Sequence, residues 1–183
     1  MGRLEGTKVR LRPLEPAEFR RVFEWYSDAE AASPFDRYVT DTFEGFVRSL
    51  GEAASEPASL APRFVVEPLS SPGAVGVVGH FVSHPVLESV ELWYLIGDPK
   101  SRGLGYGKEA VGLLVDEVYR TSAVARVGIS CDVDNVPSCR LAEGLGFRRE
   151  GTLRAALFHH GRWHDVHTYG ITREEWAARG PRA

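Results

Sequence analysis

The sequence predicts a mixed α/β (α+β) domain, and three observations predict it. Runs that alternate apolar and polar residues, as half-buried strands do, are interleaved with runs whose apolar residues recur every three or four positions, as amphipathic helices require. A glycine-rich stretch, Arg102-Gly103-Leu104-Gly105-Tyr106-Gly107, joins a strand-like run to a helix-like one. The chain closes with two strand-like runs around His159-His160-Gly161, the pattern of a hairpin.

Taken in order, residues 7–14 alternate as a strand, with Val9 and Leu11 on one face. Pro16 suits the first turn of a helix that runs to about residue 27. Phe19, Val22, Phe23 and Tyr26 recur there at helical spacing and mark its buried face. Residues 33–36 read as a loop, and 42–54 as a second helix with Phe43, Phe46, Val47 and Leu50 inward. Residues 52–62 are small, polar and proline-punctuated, hence a surface connection. Strands follow at 63–67, 74–83 and 90–96. Residues 104–120 carry Ala110, Val111, Leu114, Val115 and Val118 on one stripe, a core helix behind the glycine loop. A strand at 126–132 and a short helix at 136–145, with Pro137 in its first turn, precede the hairpin at 149–158 and 163–171. The order is β-α-α-β-β-β-α-β-α-β-β, without repeats or low-complexity tracts. Its 183 residues suit one domain, with a core at about 6–172 and a short C-terminal tail.

Composition excludes several functions. A net charge of −3 gives no footprint for nucleic acid or an anionic membrane surface, and no apolar run is long enough to span a bilayer. The first residues lack a signal-peptide stretch, and Gly6 breaks a myristoylation pattern. Cys131 and Cys139 make no disulfide framework, so a reducing cytoplasm is the expected home. The six histidines show no metalloprotease or cysteine-paired spacing, and no metal is expected.

The glycine loop carries the chemistry. Three glycines within five residues let the backbone approach a ligand, and the helix behind them adds unpaired N–H groups and a positive dipole end. That combination suits phosphate or pyrophosphate. The spacing is not that of a dinucleotide fold, and Glu109 after Gly107-Lys108 rules out a P-loop. Arg102, Gly105 and Gly107 instead resemble Arg/Gln-x-x-Gly-x-Gly/Ala, the acetyl-CoA pyrophosphate loop of the GCN5-related N-acetyltransferases (GNATs). About thirty residues downstream, Asn135-Val-Pro-Ser138, a short helix and Gly146-Phe147 resemble the second GNAT signature. Residues 11–14, Trp25, Asp28, 151–154, 161–165 and 169–171 are similar to the RimJ/RimL-like branch.

The resemblance implies a twisted, mostly antiparallel sheet flanked by helices. The strands before the glycine loop and before Asn135 would run parallel and splay, with CoA in the gap. It implies an enzyme that transfers the acetyl group of acetyl-CoA to a primary amine, either a protein N-terminus or a small molecule, by direct attack in a ternary complex. Gly103, Leu104 and Tyr106 would join Arg102, Gly105 and Gly107 around the pyrophosphate. Main-chain groups of Leu95 and Ile96, with Asn135, would hold the pantetheine arm. Asn135 reads equally well as a turn residue before Pro137.

Glu91, on the strand feeding the loop, stands where many GNATs carry the general base, its bland alternative being a solvent-facing carboxylate. Ser138 would donate to the CoA sulfur, or simply cap its helix. The usual acid, a tyrosine seven residues after the signature Asn, is here Ala142, a departure that leaves Ser138 or water to serve the thiolate. Cys139 has no thiolate-forming partner and reads as a packing residue. Trp25, Tyr38, His84 and Trp163 are the expected acceptor contacts, with Asp165 shaping or packing the same pocket. A homodimer is also open. Two other readings are a GNAT-shaped domain that holds acyl-CoA without turnover, and an acyltransferase that uses a longer acyl-CoA.

Overall fold

One sheet of eight strands organises the computed structural model, which describes residues 4–28, 42–53, 64–84 and 89–180. The strands are β1 (Leu4–Glu5), β2 (Val9–Arg12), β3 (Phe64–Pro68), β4 (Gly76–His84), β5 (Ser89–Leu95), β6 (Arg126–Asp132), β7 (Arg148–His159) and β8 (Arg162–Thr172). They lie in the order β1-β2-β3-β4-β5-β6-β8-β7. The described helices are α1 (Phe19–Ser27), entered through a 3-10 turn at Pro16–Glu18, α2 (Phe43–Ala53), α3 (Tyr106–Thr121), α4 (Val136–Gly144) and α5 (Arg173–Ala177). Every neighbouring pair is antiparallel except β5 and β6, so the sheet is mixed and mostly antiparallel, as expected. The loop expected at 33–36, most of the connection at 52–62, and Tyr38 lie outside the described residues.

Strand alternation divides the core. Val9, Leu11, Val78, Val90, Leu92, Val127, Ile129, Tyr169 and Ile171 face α3 and α4. Val65, Val77 and Leu95 face α1 and α2, against Val22, Trp25, Tyr26 and Phe46. β3 is buried along its whole length, because helices cover both of its faces.

Two elements extend beyond the expected limits. The first expected strand is two: β1 folds back on β2, pairing Leu4 with Leu11 and Glu5 with Arg10. Glu109, in the first turn of α3, holds the turn between them. Its carboxylate accepts from Thr7 N (2.9 Å), Thr7 Oγ1 (2.6 Å), Lys8 N (2.8 Å) and Val9 N (2.7 Å). Burial opposes the charge, but these bonds outweigh it and hold the carboxyl below its ordinary value. At the other end, Thr172 and Glu175 form a reciprocal capping box, so residues 173–177 are a helical turn where a loose tail was expected. Trp176 packs on the core and donates to Asp116 Oδ1 at 2.7 Å.

Replacing Glu109 by Ala is expected to lower stability by about 2 kcal/mol, the scale of a hydrogen-bonded charge near the surface. A lowered folded-state pKa means stability that is present above the unfolded value and lost as pH falls through the folded one. The gap between variant and wild type should therefore close in acid. Denaturant melts at neutral and acid pH check it, and a gap that is independent of pH would exclude the charge as its source.

Candidate active site

The parallel pair β5–β6 opens a gap. Its register contains Val90–Val127, Glu91–Gly128 and Leu92–Ile129, and then stops. Beyond that point β5 stays paired to β4 as far as Leu95, and β6 stays paired to β8 as far as Asp132. The two strands therefore splay where residues 93–95 face 130–132. The resulting cleft has a volume of about 350 Å³. Its walls include Tyr26 from α1, Phe81 from β4, and Leu153, Ala156 and Leu157 from β7.

The hairpin wall is shaped by a bulge. Between the pairs Leu153–Val166 and Leu157–His164 the register shifts, and Ala155 takes φ 47°. Asp165 Oδ1 accepts the Ala155 N–H at 2.9 Å and holds the irregular stretch. Asp165 therefore shapes the cleft through backbone rather than by lining it.

Glu91 lies at the closed end of the splay and lines the cleft. Its seat is made by a glycine: a Cβ at Gly128 would stand 2.0 Å from Glu91 Oε1. Arg126 Nη1 lies 3.5 Å from Glu91 Oε1, but the same guanidinium binds Glu150 Oε2 more closely, at 2.5 Å. Burial raises the Glu91 pKa above its ordinary value, and the shared Arg126 only partly offsets it. A half-buried carboxylate with a loosened counter-charge has the electrostatics of a base rather than of an ion-pair strut.

Ser138 is buried at the start of α4, also on the cleft wall. The helix cap is not Ser138 but Asn135, whose Oδ1 accepts the Ser138 N–H at 3.2 Å. The Ser138 hydroxyl is thus released for other work. It accepts from Tyr94 OH at 3.0 Å and lies 3.1 Å from Cys131 Sγ. Burial pushes the Tyr94 phenol well above its ordinary value, so it stays a hydrogen-bond donor. Burial likewise pushes the Cys131 thiol up to about 12, which removes it as a nucleophile. Cys139 Sγ points to the Asp132 carbonyl at 3.7 Å, a packing position. Ala142 is fully buried in the core. Sequence reasoning missed Tyr94: an aromatic on a core strand carries no signal of what its hydroxyl meets.

The glycine loop begins where β5 ends. Gly103 and Gly105 adopt φ 75° and 83°, conformations that favour glycine. Gly105 is the N-cap of α3, and bonding within the helix begins with Glu109 N to Gly105 O. The N–H groups of Tyr106, Gly107 and Lys108 are therefore outside the helical ladder. Leu104 is exposed and its carbonyl accepts from Lys8 Nζ at 3.2 Å, which brings to the loop a cation unmarked by any motif. Arg102 Nε donates to Ile96 O at 3.0 Å, tying the loop to the end of β5. Gly107 is buried, and a Cβ there would meet Tyr94 and Leu141 at 3.4 Å. The first turn of α3 thus packs directly against the cleft.

The four expected acceptor contacts fare differently. Trp25 is buried against Gly97, where a Cβ would lie 2.1 Å from its ring, and the adjacent Tyr26 reaches the cleft instead. Trp163 is 62% exposed and stands edge-on to Phe158 on the hairpin, away from the cleft walls. His84 ends β4, paired with Ser89 after a bulge. Tyr38 lies outside the described residues.

Comparison with known proteins agrees with this geometry. Residues 8–148 match the family described as the acetyltransferase (GNAT) domain. The chain is 24% identical over 176 residues to the uncharacterised N-acetyltransferase YnaD of Bacillus subtilis, covering 92% of this chain and 96% of that one. It is 53% identical over 143 residues to the phosphinothricin N-acetyltransferase of Streptomyces viridochromogenes, covering 78% and 64%. Its fold matches that of the spermidine N-acetyltransferase from Vibrio cholerae, solved in complex with CoA and spermine, at a TM-score of 0.84 and 21% identity, over 94% and 99% of the two chains. The family match covers the strand splay, the glycine loop and the start of α4, and the chain belongs to the GNAT acetyltransferase family as an acyl-CoA-dependent N-acetyltransferase.

Proposed function

We propose that the protein transfers the acetyl group of acetyl-CoA to the primary amine of a small molecule, as a member of the RimJ/RimL-like branch. One observation carries this reading: Glu91 and the Tyr94–Ser138 pair line the same cleft at the splay. A volume of about 350 Å³ lies in the range of small-ligand sites. The relatives named for phosphinothricin and spermidine N-acetylation support an acceptor of that size.

Acetyl-CoA would lay its pyrophosphate on residues 102–107 and pass its pantetheine arm through the gap between β5 and β6. The amine would enter from the side of Tyr26 and the β7–β8 hairpin. Glu91 accepts the proton of the attacking amine, directly or through a water. The amine nitrogen forms its bond to the acetyl carbon, the carbon–sulfur bond breaks, and the electron pair leaves on sulfur. Ser138, oriented by Tyr94, donates a hydrogen bond to the developing thiolate. Positioning in the ternary complex supplies much of the rate.

Because Asn135 rather than Ser138 is the cap, Ser138→Ala should leave the helix start intact, cost about 1–3 kcal/mol for the buried bond lost to Tyr94, and lower kcat by about tenfold or more. An unchanged kcat would remove Ser138 from the chemistry. The function itself is tested by thiol release from acetyl-CoA with a panel of amino acids, polyamines and peptides, repeated with longer acyl-CoAs. Turnover with small amines is the expected result, and turnover confined to peptides would overturn the small-molecule reading.

A further inference from the structure

Two histidines of the final hairpin meet Asp132, 27 residues upstream of the first of them, at the open end of the cleft. Asp132 ends β6, His159 ends β7, and His164 lies two residues into β8. His160 (φ 49°) and Gly161 (φ 75°) make a two-residue hairpin turn with both residues left-handed. The turn sets His159 opposite Arg162 and Leu157 opposite His164, so the two histidines are diagonal neighbours on one face. Their rings stack at 3.7 Å with an interplanar angle of 16°. Asp132 Oδ2 lies 2.5 Å from His159 Nε2 and 3.4 Å from His164 Nδ1. The exposures are 3% for Asp132, 8% for His159 and 4% for His164.

We propose that Asp132, His159 and His164 bind a divalent first-row transition metal ion, Zn²⁺ being the best match to the donor set. Two imidazoles and one carboxylate are a ligand set of zinc and non-haem iron sites. One ligand atom from each of the three lies within 4.8 Å of the other two. A tetrahedral site with bonds of about 2.0 Å separates its ligand atoms by about 3.3 Å. Hence His159 need retreat from Asp132 by less than 1 Å to admit the ion.

Three further observations point the same way. First, a buried carboxylate requires a positive partner, and the nearby guanidinium of Arg162 is engaged by Asp134 at 2.8 Å. Two imidazoles stacked at 3.7 Å repel each other if both are protonated. A divalent ion neutralises the carboxylate while leaving both rings neutral, the form in which imidazole ligates. Second, His160 Nδ1 lies 2.7 Å from His159 Nδ1, an outer-shell contact that orients His159 Nε2 inward, while Asp134 Oδ2, 3.0 Å from His164 Nδ1, brings a further carboxylate to the edge of the site. Third, His164 Nε2 is buried with no hydrogen-bond partner among the described residues, so the ring is held through Nδ1 alone and its setting is not fixed from the other side.

Asp132 and Leu157 also line the cleft, which gives the ion an entry path. None of this depends on the acetyl transfer reading, and the test needs no acceptor.

The full chain, stripped with EDTA, is titrated with Co²⁺. The expected result is a ligand-field absorption that saturates at one equivalent, is displaced by Zn²⁺, and accompanies a Zn²⁺-dependent rise in melting temperature. Asp132→Asn and His159→Gln should each weaken the binding at least tenfold, with far-UV circular dichroism confirming that they fold. The wild-type titration stands without any variant. Absence of saturable Co²⁺ absorption in the wild type, or its persistence in both folded variants, would overturn the site and leave the cluster as a hydrogen-bonded network holding a proton.

Discussion

Glu91→Gln is expected to lower kcat by on the order of 10²-fold or more at neutral pH while leaving the dissociation constant of acetyl-CoA unchanged. A general base contributes that much when it is within reach of the proton it takes. The glutamine keeps the shape, so binding of the thioester on the loop is untouched. Because burial raises the Glu91 pKa from its ordinary 4.5, the acid limb of the wild-type profile should lie above that value and vanish in the variant. At high pH the amine is already neutral, and the two enzymes should converge. The stability effect has the opposite sign. A carboxyl whose folded pKa is raised contributes stability below its unfolded pKa and loses it as pH rises through the folded one. At neutral pH the ionised Glu91 is a burden, so the variant should melt no lower than the wild type. Gly128→Ala is a second route to the same result. It keeps the carboxylate and pushes it from its seat, because the new Cβ would lie 2.0 Å from Oε1. Full activity across the pH range in both variants would make Glu91 a bystander.

Gly105→Val should weaken acetyl-CoA binding by ten- to a hundredfold, measured by calorimetry on the folded protein. Gly105 stands at φ 83° as the N-cap of α3. A β-branched residue resists that conformation by about 1–2 kcal/mol, so the chain relieves the strain by rotating the amides that face the ligand. A Cβ there would also press on Lys8 Nζ at 3.1 Å, moving a cation at the loop. Losing one hydrogen bond to a charged group, at about 1.5–3 kcal/mol, accounts for the expected range. Unchanged affinity in a folded variant would mean that the pyrophosphate lies elsewhere.

The sequence by itself determined what is local. Alternation placed the strands, the 3.6-residue repeat placed the helices, and the spacing of glycines marked the turn into α3, because each depends on residues within a few positions of one another. Asn135 is a fair measure of that reach: the sequence reads it as a pantetheine ligand or a turn residue before Pro137 and points to Ser138 for the cap, whereas in the structure Asn135 is the cap. The capping pair Thr172 and Glu175 is just as local, but the sequence reads there as a short tail, and the helical turn after β8 emerges only in the structure.

Tertiary structure decided what meets across the sheet. Pairing between β5 and β6 stops after Leu92, and no residue in either strand announces that stop. Gly128 reads as an unremarkable glycine until Glu91 is laid over it from the next strand. Tyr94 and Ser138 are 44 residues apart, and Asp132 is 27 residues from the histidine it touches. Trp25 and Trp163, expected as acceptor contacts from the family resemblance, are placed otherwise: one is packed against Gly97 and the other is exposed on the hairpin beside Phe158. Sequence pattern reports which face of an element a side chain occupies. What covers that face depends on sheet order and on where a ladder opens, and those are set by packing over the whole chain.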